Sequence, residues 1–300
     1  MDQKNNLEKD QDKTVEFQSL KNLLKRNLTE IENLSLGNIS AGIPTSFYDF
    51  DAMTQGLRRG DLIAFAGRPS MGKTSLALQF ARNVAGQNLP VCFFGFDLSK
   101  EELAYRILSM EVGIEIGRIM TGRVTSEEWQ LVYERNTKLE SLPIFIEDKR
   151  GISIDEIKNR CRNISMTNDE KSLGLIVIDS YQLMEYSNSD DYQAQLERNT
   201  RELKSLAKEL NVPVLITAPI SQGVEEKENR RPMLSDIRDS DALEVYGDII
   251  VMLYRDEYYY PETEDRGIAE LIVTTHRHGP VGTVKMVFEP QFGRYRNLAA

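Results

Sequence analysis

Residues 61–81 constrain the fold more tightly than any other stretch of the chain. Asp61-Leu-Ile-Ala-Phe-Ala66 is a short apolar run. It enters a glycine-framed segment, Gly67, Arg68, Pro69, Ser70, Met71, Gly72, Lys73 and Thr74. The chain then leaves through Ser75 into Leu76-Ala-Leu-Gln-Phe-Ala81. Strand, glycine turn and helix in this order form the phosphate-binding loop pattern. The glycines let successive N–H groups point to one place, and the helix N-terminus adds partial positive charge there. Lys73 is placed to reach the β- and γ-phosphates, and Thr74 to hold Mg²⁺. The ligand this implies is ATP or a similar triphosphate, bound along Gly67–Ser75. The plainer alternative is an ordinary glycine turn opening a helix.

The remaining apolar runs predict the architecture around that loop. Strands are expected at 90–96, 142–146, 173–178, 212–217 and 248–254, with helices between them. The runs are apolar throughout rather than alternating, which marks strands covered on both faces. Two alternating segments, 268–275 and 283–288, flank His278-Gly-Pro-Val-Gly282 and predict a C-terminal β-hairpin. Ser99 with Glu102 and Thr125 with Glu128 have the spacing of helix-starting capping boxes. The expected fold is therefore α/β, a mainly parallel twisted sheet with helices on both faces. Ligands bind such sheets at the carboxyl ends of the strands. Gly67, Asp97, Asp179 and Thr217 all fall at such ends.

Two carboxylates are candidates for catalysis. Asp179 ends an Ile/Val-rich strand, where a triphosphate site needs a group to orient the Mg²⁺ shell. Aspartate there also serves ordinary turn chemistry. Asp97 reads equally as the group that orients the attacking water and as a helix-approach residue. Arg277 lies on the hairpin, where it can be offered to a triphosphate in a neighbouring subunit, although an unplaced arginine is usually a solvated surface residue. Arg230, Arg231 and Arg238 form the most basic patch near a loop, diluted by Asp236, Asp239 and Asp241. His276 and His278 have no Cys or third His nearby, so a metal site is not expected there.

The N-terminal stretch reads differently. Residues 1–13 are charged and are expected to be a disordered tail. From Thr14 to Leu34, Phe17, Leu20, Leu24, Leu28 and Ile31 make one helical stripe, followed by the glycine-containing link Gly37–Gly42. That stripe must fold back on the core or dock on another subunit. The expected division is tail 1–13, linker helix and link 14–41, and ATPase domain 42–300. No apolar run approaches a membrane span. The two cysteines, Cys92 and Cys161, suit packing rather than a disulfide framework. Together these features predict a cytoplasmic protein. The net charge of −10 argues against a surface coated for nucleic acid, while leaving room for a local basic channel.

The order and wording of several segments resemble the RecA-like ATPase domain of bacterial replicative DNA helicases of the DnaB family. The matching stretches include Gly42-Ile-Pro-Thr45, Gly67–Thr74, Gly174-Leu-Ile-Val-Ile-Asp179 and Leu203-Lys-Ser-Leu-Ala-Lys-Glu-Leu-Asn-Val-Pro213. Arg231-Pro-Met-Leu-Ser-Asp236, Leu253-Tyr-Arg-Asp-Glu257, Gly267-Ile-Ala-Glu270 and Gly279-Pro-Val-Gly282 complete them. The resemblance implies a homo-hexameric ring around single-stranded DNA, with ATP and Mg²⁺ at subunit interfaces. It assigns Lys73, Asp97, Asp179 and Arg277 to catalysis, Thr74 and Asp179 to the metal, and Arg231 and Arg238 to DNA. It also places the 14–34 helix where the family has a linker helix that packs on the next subunit.

The departures from the family pattern are specific. Its N-terminal collar domain is expected to be absent. A glutamate of the family is Asp97 here, one methylene shorter. A strand-end Ser-Gln pair reads Ala218-Pro219, and the hairpin Lys-x-Arg reads Thr275-His276-Arg277. The DNA loop becomes Arg238-Asp239-Ser240-Asp241, with added negative charge. Two readings follow: an ATP-driven helicase, or a nucleotide-binding paralogue that assembles with or regulates a full-length helicase. A strand-exchange recombinase shares the loop but does not account for Arg231–Asp236 or Leu253–Glu257.

Overall fold

The computed structural model describes residues 17–167, 172–184, 192–237 and 240–298. The chain divides into two compact units, 1–41 and 42–300. The first contains helix α1 (Leu20–Ser35), opened by Ser19, whose side chain accepts from the Asn22 N–H. The helix starts at residue 20 rather than 14 because that cap fixes its first turn; residues 14–16 lie outside the described residues. Leu20, Leu24, Leu28 and Ile31 are exposed, and α1 buries none of its residues.

The second unit opens with α2 (Tyr48–Thr54), β1 (Leu62–Gly67), α3 (Lys73–Ala85) and β2 (Val91–Gly95). It continues through α4 (Lys100–Val112), α5 (Ile116–Met120), α6 (Ser126–Glu140), β3 (Ile144–Glu147) and α7 (Ile154–Thr167). Then come β4 (Leu175–Asp179), α8 (Tyr192–Leu210), β5 (Val214–Pro219), α9 (Ser240–Tyr246) and β6 (Ile249–Tyr254). The last elements are α10 (Asp256–Tyr259), β7 (Ile268–His276), β8 (Gly282–Glu289) and β9 (Arg294–Asn297).

The strands form one sheet in the order β3-β2-β4-β5-β1-β6-β7-β8-β9. The six from β3 to β6 are parallel. The hairpin β7–β8 pairs antiparallel onto β6, so β6 ends the parallel part without being an edge. Along β1 successive side chains point to opposite faces. Ile63 and Phe65 join one buried layer with Phe80 of α3, while Leu62, Ala64 and Ala66 join the other with Leu203 and Leu206 of α8. This two-sided burial is why the strand sequences lack alternation. Phe80 anchors the first layer, with its ring 5.1–5.4 Å from those of Phe47, Phe50 and Phe65.

Both anticipated capping boxes form: Ser99 with Glu102 opens α4, and Thr125 with Glu128 opens α6. Cys92 and Cys161 are buried in the second layer. Sequence periodicity did not reveal β9, because four residues are too few to show a period. Among the described residues no helix is long and apolar enough to cross a membrane.

Candidate functional site

The site is built at the carboxyl ends of the central strands. Gly67 ends β1 beside Pro219 of β5, and Asp179 ends β4 beside Gly95 of β2. The chain between β1 and α3 turns through Ser70 and Gly72, both left-handed, with φ of 65° and 96°. Gly72 is the N-cap of α3 and offers no capping side chain, which leaves the first-turn N–H groups free of a side-chain acceptor. A Cβ on Gly72 would come within 2.3 Å of the Tyr295 hydroxyl, so only glycine fits. Pro69 and Ser70 form the exposed crest of the loop, while Met71 anchors it in the core.

Long-range contacts hold the loop in shape. The Tyr295 hydroxyl of β9 lies 3.2 Å from the Met71 carbonyl and 3.3 Å from that of Gly72. Arg255 donates to the Ser70 carbonyl at 3.1 Å, with its guanidinium over the Phe288 ring. Arg68 pairs with Glu225 at 2.9 Å. Sequence reasoning missed Tyr295, Arg255 and Glu225 in this role. Arg255 lies within a stretch that carried the resemblance, but nothing local marks it as a loop support; Tyr295 and Glu225 give no signal.

Lys73 donates to the Gly67 and Arg68 carbonyls at 2.8 and 3.0 Å. Burial pushes its pKa down to about 8, partly opposed by the nearby Asp179 carboxylate. Asp179 is itself buried, which raises its pKa, and it accepts hydrogen bonds from the Thr217 and Thr74 hydroxyls. Two hydroxyls and a carboxylate are hard oxygen donors, the set that suits Mg²⁺. The uncapped helix start and Lys73 suit a polyphosphate anion. Thus Gly67, Lys73, Thr74 and Asp179 come together as one site, and Ser75 is buried in the first turn of α3.

Asp97 lies just beyond β2, close enough to Asp179 to disfavour its ionisation. Its side chain is exposed and approaches Arg150 at 3.5 Å. Arg277 does not join this cluster. It sits at the opposite end of the sheet, 2.8 Å from Asp248, which directly precedes β6. Six residues of strand put roughly 20 Å between those ends. Arg231 is engaged by Glu270 at 2.8 Å and lies over the Tyr254 ring, and the ion pair raises its pKa above the usual arginine value. Arg238 lies outside the described residues.

Comparison with known proteins agrees with this geometry. The family described as DnaB-like helicase C terminal domain matches residues 42–297. The replicative DNA helicase DnaC of Bacillus subtilis (strain 168) is 41% identical over 290 residues, covering 95% of this chain and 63% of that protein. The replicative DNA helicase DnaB of Geobacillus stearothermophilus is 39% identical over 287 residues, covering 94% of this chain and 62% of that protein. The chain therefore spans less than two thirds of the length of these relatives. Among solved structures, a DnaB-like replicative helicase described with its primase interactions superposes with a TM-score of 0.86 at 34% identity, covering 95% of this chain and 68% of that one. A solved ATPase domain superposes with a TM-score of 0.90 at 35% identity, covering 95% of this chain and 100% of that one. A phosphate-loop site at the strand ends of a RecA-like sheet, matched by a family model from residue 42 to 297, places this chain in the DnaB-like helicase C-terminal domain family.

Proposed function

We propose that the chain is an ATP-driven motor of the replicative helicase type, hydrolysing ATP between subunits of a ring to move along single-stranded DNA. The observation that carries this reading is the separation of the two halves of the site. Lys73, Thr74, Asp179 and Asp97 sit at the carboxyl ends of the strands, and Arg277 sits at the far end. One copy presents the triphosphate cradle and the next presents the arginine, an arrangement that suits a homo-hexamer.

Each residue has a defined task in that reading. The N–H groups at the start of α3 bind the phosphates, and Lys73 contributes charge to the β- and γ-oxygens. Thr74 and Asp179 would hold Mg²⁺, which supplies Lewis-acid charge to the phosphate oxygens when bound. Asp97 orients the attacking water, and its exposed carboxylate accepts the proton. Arg277 of a neighbouring copy offsets the charge that develops on the transferred phosphoryl group. Single-stranded DNA would be contacted from the 231–241 segment, through Arg231 and Arg238.

A second reading, a nucleotide-binding paralogue that associates with a full-length helicase, is favoured by Asp97 and Pro219. Asp97 is short and engaged by Arg150, and Pro219 occupies the strand end beside Gly67. ATP turnover with and without single-stranded DNA, measured beside Lys73→Ala, separates the two. The motor reading requires turnover well above that variant and a rise on adding DNA. Turnover equal to that of Lys73→Ala would leave the paralogue reading standing.

A further inference from the structure

Asp248 lies far from the phosphate loop, at the opposite end of the sheet, and its carboxylate is engaged from several sides. It is buried immediately before β6. One oxygen, Oδ2, accepts from the Leu62 N–H at 2.8 Å and from the Lys204 ammonium. Lys204 also donates to the Gly60 carbonyl at 2.7 Å and lies 3.9 Å from Asp61 Oδ1. These contacts fix the carboxylate against β1 and α8. The other oxygen, Oδ1, faces the hairpin turn and pairs with Arg277 Nε at 2.8 Å. The Asp248 carbonyl accepts from the Arg277 backbone N–H at 2.8 Å, so one residue grips both the main chain and the side chain of Arg277. Arg277 Nη2 donates to the Val245 carbonyl at 3.2 Å.

This arrangement is poorly explained as a stabilising device. The Arg277 side chain is 48% exposed, and an ion pair with one partner in water adds little to stability. A long side chain on an exposed turn otherwise samples many rotamers. Here Nε and Nη2 are held, while Nη1 has no hydrogen-bond partner among the described residues. The Asp61, Asp248 and His278 donor atoms lie within 4.8 Å of one another, but Lys204 and Arg277 already neutralise Asp248, so the cluster is an ion-pair network rather than a cation site. A cleft of ≈ 380 Å³ opens beside it, bordered by Arg59, Lys204, Lys208 and Arg277 together with the carboxylates of Asp61 and Asp248. The guanidinium is thus held by one edge at the rim of this cleft, with its other edge available.

We propose that Asp248, locked in place by Lys204 and the Leu62 N–H, is the positioning residue that aims Arg277 at the triphosphate of a neighbouring copy. The proposal rests on the reading of Arg277 given above. Catalysis by such an arginine depends on placement, and a displacement of about 1 Å can cost on the order of a hundredfold in rate.

The test compares Asp248→Asn, Arg277→Ala and the double variant by steady-state ATP turnover, with binding of a fluorescent ATP analogue as the check on folding. Asp248→Asn is expected to lower kcat roughly ten- to a hundredfold with KM and analogue binding unchanged. In the Arg277→Ala background the same substitution is expected to change nothing further. Mixing Asp248→Asn with Lys73→Ala should recover turnover, because the intact loop of the first meets the correctly aimed Arg277 of the second. Wild-type kcat in Asp248→Asn, a further loss in the double variant, or no recovery on mixing would each overturn the proposal. If Asp248→Asn loses analogue binding, Asp248→Glu, which keeps the charge and shifts it by one methylene, is judged by the same three criteria. Full turnover in Arg277→Ala would instead remove the reading of Arg277 itself. Loss in Arg277→Ala with none in Asp248→Asn would remove only the role of Asp248.

Discussion

Lys73 is held in the folded chain at a cost to stability. Its charge is buried among backbone carbonyls, and its pKa is pushed down to about 8 from 10.5. Below pH 8 it is charged in the folded and the unfolded chain alike, so the folded state bears the full cost of burial. Between the two values the folded chain has already released a proton that the unfolded chain still holds, and stability rises with pH. Relative to Lys73→Met, the wild type should therefore gain up to roughly 3 kcal/mol of urea stability as pH rises from 7 through that window. A wild type that loses ground to the variant over the same range would show that the lysine is not buried as a charge. Asp97 gives a second expectation at this scale. Asp97→Glu extends the carboxylate by one methylene and should raise ATP turnover about ten- to a hundredfold if reach limits the step. An unchanged rate would assign the limit elsewhere. That Lys73, Thr74 and Asp179 meet at one end of the sheet was legible in the sequence, because each stands at a fixed spacing from a strand end. Asp248 and Tyr295 were not, because their partners lie 186 and 224 residues away along the chain.

Among the elements, β9 illustrates the same division. Four residues long, it pairs with β8 and brings Tyr295 beneath the phosphate loop. Tyr295→Phe keeps the ring against Phe288 and removes only the hydroxyl contacts to Met71 and Gly72. The expected cost is about 1 kcal/mol in stability, read by chemical denaturation, together with a several-fold loss of affinity for a fluorescent ATP analogue. Full affinity would mean that the loop holds its form without this support. The long apolar strands and both capping boxes could be read from sequence, since each encodes itself within a few residues. That β6 is followed in the sheet by β7 could not, because pairing partners are chosen by the whole sheet. Helix α1 belongs with the legible elements, although its apolar stripe remains exposed in the described structure.

At the scale of the whole molecule, the mixed α/β order and the two buried layers followed from runs of apolar residues, and the loop located the end of the sheet that carries the candidate site. What the sequence did not contain was distance. Nothing in the spacing of Gly67 and Arg277 says that a strand's length separates them. That separation has a kinetic consequence. Under the proposed reading, a chain that cannot supply both halves of its own site is, when solitary, only half of a catalyst. ATP turnover per chain should fall on dilution, in step with dissociation followed by analytical ultracentrifugation, and a rate per chain that stays constant through that dissociation would contradict the division of labour. Specific activity would then belong to the concentration of the solution as much as to the protein dissolved in it.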